Sequence, residues 1–170
     1  MKVDCLIVGA GPAGSVMAEQ MASKGFTTMV VEKKQEIGIF KRCAEGVTKH
    51  GIEKLGIKIN ESSIAGRIRG AMLYSPSGKT VVMEGKEMEG FVLERKIFVK
   101  WLASKAIENG AEYMVKAQAM GMQKKNQAWE VKVRSLEGMK EIEAKLVIGA
   151  DGVESKVGKW AGLNTVNKLT

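Results

Sequence analysis

The feature that most constrains this chain is Gly9-x-Gly11-x-x-Gly14, set directly after the apolar run Val3 to Val8 and directly before a helical pattern that Gly25 stops. A second apolar run, Thr27 to Val31, follows and ends in Glu32. Strand, tight turn, helix and strand in that order open a parallel βαβ unit. Each glycine has a distinct task in such a turn. Gly9 permits the tight bend, Gly11 lets backbone approach a pyrophosphate, and Gly14 lets helix and strand pack closely. The helix N-terminus then presents unpaired N–H groups and the positive end of its dipole to an anion. Glu32, eighteen residues past Gly14, can accept hydrogen bonds from a ribose diol, and its carboxylate disfavours a 2′-phosphate there. FAD or NAD is therefore favoured over NADP, although Lys33 and Lys34 pull the other way.

The remaining chain supports an α/β reading. Lys33 to Gly46 shows no periodicity and reads as a long loop, with a short helix near Val47 to Leu55 carrying the surface residue His50. Between Arg67 and Met83 two short runs flank Ser75-Pro76-Ser77-Gly78, a turn sequence that predicts an antiparallel hairpin. Gly90 to Leu93 leads into a helix with Ile97, Phe98, Trp101, Leu102 and Ile107 as its expected buried stripe and Asn109-Gly110 as its stop. Further strands are expected at Tyr113 to Met122, Trp129 to Val133 and Glu141 to Ile148, then a short helix from Glu154 to Ala161. No internal repeat or Pro/Ser-rich linker marks a second independent domain. The expected fold is α/β, a Rossmann-like dinucleotide-binding domain with a parallel sheet and an inserted antiparallel β-hairpin or meander.

Composition narrows the function classes. The 170 residues carry 27 Lys plus Arg against 19 Asp plus Glu, a formal charge of +8. The lysines are scattered and aromatic residues make up 5% of the chain, so nucleic-acid recognition, which needs stacking rings or a dense basic tract, is not expected. Two cysteines are too few for a disulfide scaffold, and a single histidine argues against a structural metal site. No apolar run approaches the roughly 20 residues of a spanning helix, and the first ten residues read as a strand rather than a signal peptide. The expected location is cytoplasmic, with peripheral contact at a membrane.

A second glycine turn, Leu146-Val-Ile-Gly-Ala-Asp151-Gly152-Val-Glu-Ser155, again joins an apolar strand to a helix. Asp151 there can orient a cofactor's polar groups or cap the helix that follows. The paired motifs resemble the flavoprotein hydroxylase and reductase superfamily, in which one Rossmann-type domain holds FAD. Between them, Arg42-Cys43-Ala44-Glu45-Gly46 resembles the loop of the geranylgeranyl reductase family, particularly the archaeal enzymes acting on glycerophospholipids. The resemblance continues through Leu73-Tyr74-Ser75-Pro76, Leu93-Glu94-Arg95 and Ile148 to Ser155. It covers the chain to about Leu163, as a FAD-binding domain over 1–163 that forms the N-terminal portion of a longer architecture. The resemblance does not extend to residues 164–170, and Val99 stands where the family pattern leads one to expect aspartate.

That resemblance implies an FAD-dependent reductase that saturates C=C bonds of geranylgeranyl chains on a glycerophospholipid, with an unidentified electron donor. It places Gly9, Gly11, Ala13, Gly14 and Glu32 at the adenosine and pyrophosphate side of FAD. Cys43, Ala44 and Gly46 approach the flavin end through backbone groups, Arg95 reaches the pyrophosphate and Ala119 meets the adenine by its backbone; Arg42 and Asp151 are counted with the cofactor-binding residues. Cys43 either admits the flavin ring closely as a small residue or donates the proton that completes reduction; Arg42 would lower its pKa and Glu45 would raise it. Two other readings share the glycine motifs: an FAD-dependent hydroxylase, which consumes oxygen, and a non-catalytic flavin-binding module.

Overall fold

The computed structural model describes residues 1–39 and 43–163, with Glu154 by its backbone alone. In chain order the elements are β1 (Lys2–Val8), α1 (Pro12–Ala22), β2 (Thr28–Val31), β3 (Gly46–Thr48), α2 (Lys49–Lys54), β4 (Ile64–Ile68), β5 (Gly70–Tyr74), β6 (Thr80–Glu84), β7 (Gly90–Leu93), α3 (Arg95–Glu108), β8 (Glu112–Met114), β9 (Gln118–Lys125), β10 (Ala128–Ser135), β11 (Gly138–Gly149) and α4 (Lys156–Trp160). They gather into two compact units, Met1–Ile39 with Val99–Thr170, and Phe40–Phe98. The second unit leaves and rejoins the first without a compositional signal, because an insertion between ordered elements needs no Pro- or Ser-rich linker.

The first unit is built on a six-stranded sheet of order β8-β2-β1-β11-β10-β9. β8, β2, β1 and β11 run parallel, while β9 and β10 complete an antiparallel meander with β11. Strand alternation sends successive side chains of β1 and β2 to opposite faces. Leu6, Val8, Met29 and Val31 pack with Ala117, Ala119, Val131, Val133, Ile142 and Ala144 from the meander side. Cys5, Ile7 and Val30 pack instead with Ala18 and Ala22 of α1 and Ala106 of α3. Both faces of the parallel strands are thus covered, which is why their sequences are continuous apolar runs.

Two expectations are corrected here. The buried face of α3 is Phe98, Val99, Leu102, Ala103 and Ala106, while Ile97 and Ile107 are 42% and 53% exposed and Trp101 is half-buried. The helix approaches the core through alanines, whose small side chains give a weak apolar signal but allow close packing. The run Tyr113 to Met122 is not one strand but two, β8 and β9, broken at Lys116, which has φ 49. Its amide donates to the Lys34 carbonyl and that of Ala117 to the Glu32 carbonyl, so loop contacts rather than hydrophobicity end the strand.

The second unit holds a three-stranded antiparallel sheet, β3-β7-β4, and a separate hairpin of β5 and β6. The Ser75–Lys79 turn closes that hairpin, as its sequence predicts, with Ser75 N–H donating to the Lys79 carbonyl. Among the described residues no helix is long and apolar enough to cross a membrane.

Candidate functional site

The site begins where β1 runs out. Gly9 has φ +107, in the left-handed region, and a Cβ there would stand 2.3 Å from the carbonyl oxygen of Ala150. A Cβ on Gly14 would stand 1.9 Å from the carbonyl oxygen of Gly9 and 3.3 Å from the Ala150 side chain. Both positions are therefore glycine for reasons internal to the protein. Gly11 differs: its backbone is extended in a way any residue adopts, and a Cβ there meets no protein atom within 4 Å. The protein itself does not need glycine at 11. The open space leaves that backbone accessible to a bound molecule.

Gly11 precedes Pro12 at the first helical position of α1, where a missing N–H costs nothing. No side chain caps this end and no acidic residue stands in the first turn. The N–H groups of Ala13 and Gly14, in that first turn, have no acceptor within the helix. This is a cradle with donors, positive dipole and open space, and it suits a pyrophosphate.

Glu32, at the C-terminal end of β2, leans into the same loop. Its Oε2 accepts from the Ala10 N–H at 2.9 Å and its Oε1 from the Lys34 N–H at 2.9 Å. Its backbone donates to Met114 and accepts from Ala117. The acid is thereby fixed beside the glycine turn, and each oxygen keeps a lone pair for a further donor. The Ala117 bond also brings the start of β9 to this end of the sheet. Ala119 follows two residues on, buried and paired with Val133.

The second glycine turn abuts the first. Val8 pairs with Gly149, and the Ala150 N–H donates to the Val8 carbonyl at 2.8 Å. Asp151 Oδ2 accepts from the Val157 N–H at 2.9 Å, so this carboxylate caps α4 across the intervening turn. Ser155, at the helix N-cap in a left-handed conformation, makes no cap bond of its own. Behind α1, burial raises the Tyr113 phenol above its ordinary value, and the neighbouring Ser15 hydroxyl opposes that rise.

Gly9, Gly11, Ala13, Gly14, Glu32, Ala119 and Asp151 therefore belong to one unit and converge on the ends of β1, β2 and β11. Cys43, Ala44, Gly46 and Arg95 belong to the other. There the Glu45 carbonyl accepts from the Leu93 N–H at 2.9 Å and Gly46 pairs with Val92, which places the Cys43–Gly46 segment beside the strand that delivers Arg95 to the start of α3. Cys43 is exposed, and its Sγ accepts from the Glu45 N–H at 3.4 Å. Arg42 lies outside the described residues. Ala10, Ala150 and Lys34 are contributors that sequence reasoning missed; each acts through its backbone, which no residue type announces.

A family model described as the FAD binding domain matches residues 2–169. The chain belongs to the FAD-binding domain family. Its α/β fold, with parallel strands and an antiparallel meander, is that of the family. This FAD-binding domain is 46% identical, over 99% of its length, to the digeranylgeranylglycerophospholipid reductase of Methanothrix thermoacetophila, of which it covers 44%. A solved geranylgeranyl bacteriochlorophyll reductase-like protein from Thermoplasma acidophilum superposes with a TM-score of 0.90 at 39% identity, over 97% of this chain and 43% of that one. The anhydrotetracycline hydroxylase OxyS of Streptomyces rimosus gives 0.76 at 26% identity, over 96% of this chain and 34% of that one. The chain thus spans less than half the length of the relatives it matches.

Proposed function

We propose that this chain is the flavin-holding portion of an FAD-dependent reductase that saturates C=C bonds in the geranylgeranyl chains of an archaeal-type glycerophospholipid. The observation that carries the reading is its 46% identity, over nearly its whole length, to a protein of that name, against 26% to a hydroxylase of similar fold. Reduced FAD, when bound, supplies the hydride for such a reaction, and the protein supplies binding, orientation and electrostatics.

The residues fit that cofactor. The N–H groups of Ala13 and Gly14 and the open backbone at Gly11 receive the pyrophosphate, with Gly9 and Gly14 shaping the turn. Glu32, already held by Ala10 and Lys34, takes the ribose hydroxyls with its remaining lone pairs, and Ala119 meets the adenine. Asp151 steadies the second turn through its cap of α4. Arg42, Cys43, Ala44 and Gly46 serve the flavin end, and Arg95, whose charge is unfavourable at the start of α3, answers an anion there. The exposed Cys43 thiol is the candidate proton donor. The electrons come from a separate donor, and the enzyme works in the cytoplasm and meets the membrane peripherally to reach its lipid.

The test is direct. The purified chain is denatured and the released chromophore identified. FAD in the supernatant supports the reading, and a colourless chain that takes up no added FAD overturns it. In a longer protein containing this domain, flavin-dependent hydrogenation of geranylgeranyl chains under anaerobic conditions separates the reductase from an oxygen-consuming hydroxylase. Cys43→Ala in that protein, with flavin retained and reduction undiminished, removes the donor role.

A further inference from the structure

The unit Phe40–Phe98 contains an open concavity of about 880 Å³ lined by β4, β7 and the β5–β6 hairpin. Ligand sites commonly measure roughly 300–1,000 Å³. Two chemistries meet in it. Met72 and Val82, a directly opposed cross-strand pair, are 56% and 57% exposed and form an apolar wall with Phe91. The other face of the hairpin repeats the pattern with the exposed pair Leu73 and Val81. A two-stranded hairpin is marginally stable alone, and contiguous exposed apolar surface marks an interaction site.

The charge around this wall is uneven. Lys49 is paired with Glu89 at 3.1 Å, and Arg67 is paired with Glu61 at 2.9 Å while its guanidinium lies 5.5 Å from the centre of the Phe91 ring. Arg69 and Lys86 also line the concavity, and neither has a carboxylate partner among the described residues. Against them stands one further lining carboxylate, Glu84. Arg69 is the single residue between β4 and β5, where the chain leaves one sheet for the next. Its neighbour Gly70 is locked in place, since a Cβ there would stand 2.6 Å from the Met83 carbonyl oxygen. The backbone of Arg69 thus sits at a tightly packed corner, and its exposed side chain lines the concavity.

We infer that this concavity binds one amphiphile, a phosphate head at Arg69 and Lys86 with an apolar chain along Met72 and Val82. The inference deepens the lipid reading and rests on it for the isoprenoid nature of the chain; the charged-plus-apolar chemistry comes from the concavity itself. Charge complementarity favours an anionic head, because Arg69 and Lys86 line the concavity as cationic donors that a phosphate engages more strongly than a neutral group does.

Three probes separate the contributions: geranylgeranyl monophosphate, geranylgeraniol and inorganic phosphate, each titrated into the 170-residue chain below its aggregation concentration and followed by backbone amide shifts. The expected result is binding of geranylgeranyl monophosphate at least tenfold tighter than of either other probe, with shifts at Arg69, Met72, Val82 and Lys86. Arg69→Glu and Lys86→Glu are each expected to weaken the monophosphate at least fivefold and leave geranylgeraniol unchanged, and Val82→Asp to weaken both amphiphiles. Lys86 is exposed on a one-turn 3-10 helix, so its substitution does not threaten the fold. Equal affinity for the alcohol and the monophosphate, equal affinity for inorganic phosphate and the monophosphate, indifference to both charge reversals, or no binding at all would each overturn the inference. Flavin content measured on the same samples keeps the two readings apart: a colourless chain that still binds the monophosphate through Arg69 condemns the flavin assignment alone.

Discussion

A side chain on Gly9 would put its first carbon 2.3 Å from the carbonyl oxygen of Ala150. The two glycine turns, at opposite ends of the chain, are therefore one packed object. β1 and β11 lie side by side in parallel, with Val8 opposite Gly149, so both strands deliver their turns to the same edge of the sheet. The first glycine turn is braced by the turn that carries Asp151.

The glycines of the first motif separate by experiment into two kinds. Gly14→Val drives a side chain into the Gly9 carbonyl and is expected to destabilise the fold by about 1–3 kcal/mol, as overpacking does, or to prevent folding. Gly11→Val meets open space and is expected to leave the melting temperature of the flavin-free protein unchanged while weakening FAD binding at least tenfold. A Gly11→Val chain that binds FAD as tightly as the parent would refute the cradle.

Glu32→Ala removes the acceptor of two backbone N–H groups, those of Ala10 and Lys34. Leaving such donors unsatisfied costs about 1–3 kcal/mol each when water does not replace the partner. Thermal unfolding without flavin should register this loss, and FAD titration should show a further fall in affinity. Glu32→Gln keeps one acceptor oxygen and should fall between parent and Ala on both measures.

Stability should also depend on pH through Asp4. The Lys145 ammonium, 2.7 Å away, holds the Asp4 carboxyl well below the usual carboxylate range, helped by the Thr27 hydroxyl at 2.6 Å and its N–H at 2.9 Å. The unfolded chain takes up this proton near pH ~4 and the folded chain only at markedly lower pH. The contribution is thus complete above about pH 4 and is lost as pH falls below it. The melting temperature of Asp4→Asn should lie below that of the parent at neutral pH, and the gap should narrow on acidification through about pH 4. A gap that stays constant with pH contradicts this.

The two thiols should differ in reactivity. Burial, with the Asp4 charge adding to it, pushes the Cys5 thiol up to about 11, whereas Cys43 is exposed. A thiolate-specific reagent at neutral pH should consume one thiol per native chain and two after denaturation. Cys43→Ala should abolish the native-state reaction, and persistence of that reaction would place the reactive thiol at Cys5.

Much of the fold was legible because its signals are local. The apolar runs at Val3–Val8 and Thr27–Val31 correspond to β1 and β2, and Ser75-Pro76-Ser77-Gly78 closes the hairpin that its composition predicts. Gly90 to Leu93 is β7 to the residue. The face of α3 was legible only at Phe98 and Leu102, since periodicity weighs Ile97 and Ile107 above Ala103 and Ala106, whereas the packed helix buries the alanines. Nor could periodicity divide β8 from β9, because the break at Lys116 follows from bonds to Lys34 and Glu32 on another part of the chain.

The candidate site divides in the same way. The sequence by itself determined that a strand, a glycine turn and a helix follow one another at Gly9–Gly14 and that an acid closes the next strand, since these depend on residue type and spacing. The tertiary structure alone decided that Glu32 is fixed by Ala10, that Asp151 caps α4 and that Ala150 sits against Gly9. Those contacts join backbone groups to distant residues, and every residue type carries the same backbone groups. Only strand register determines which of them meet.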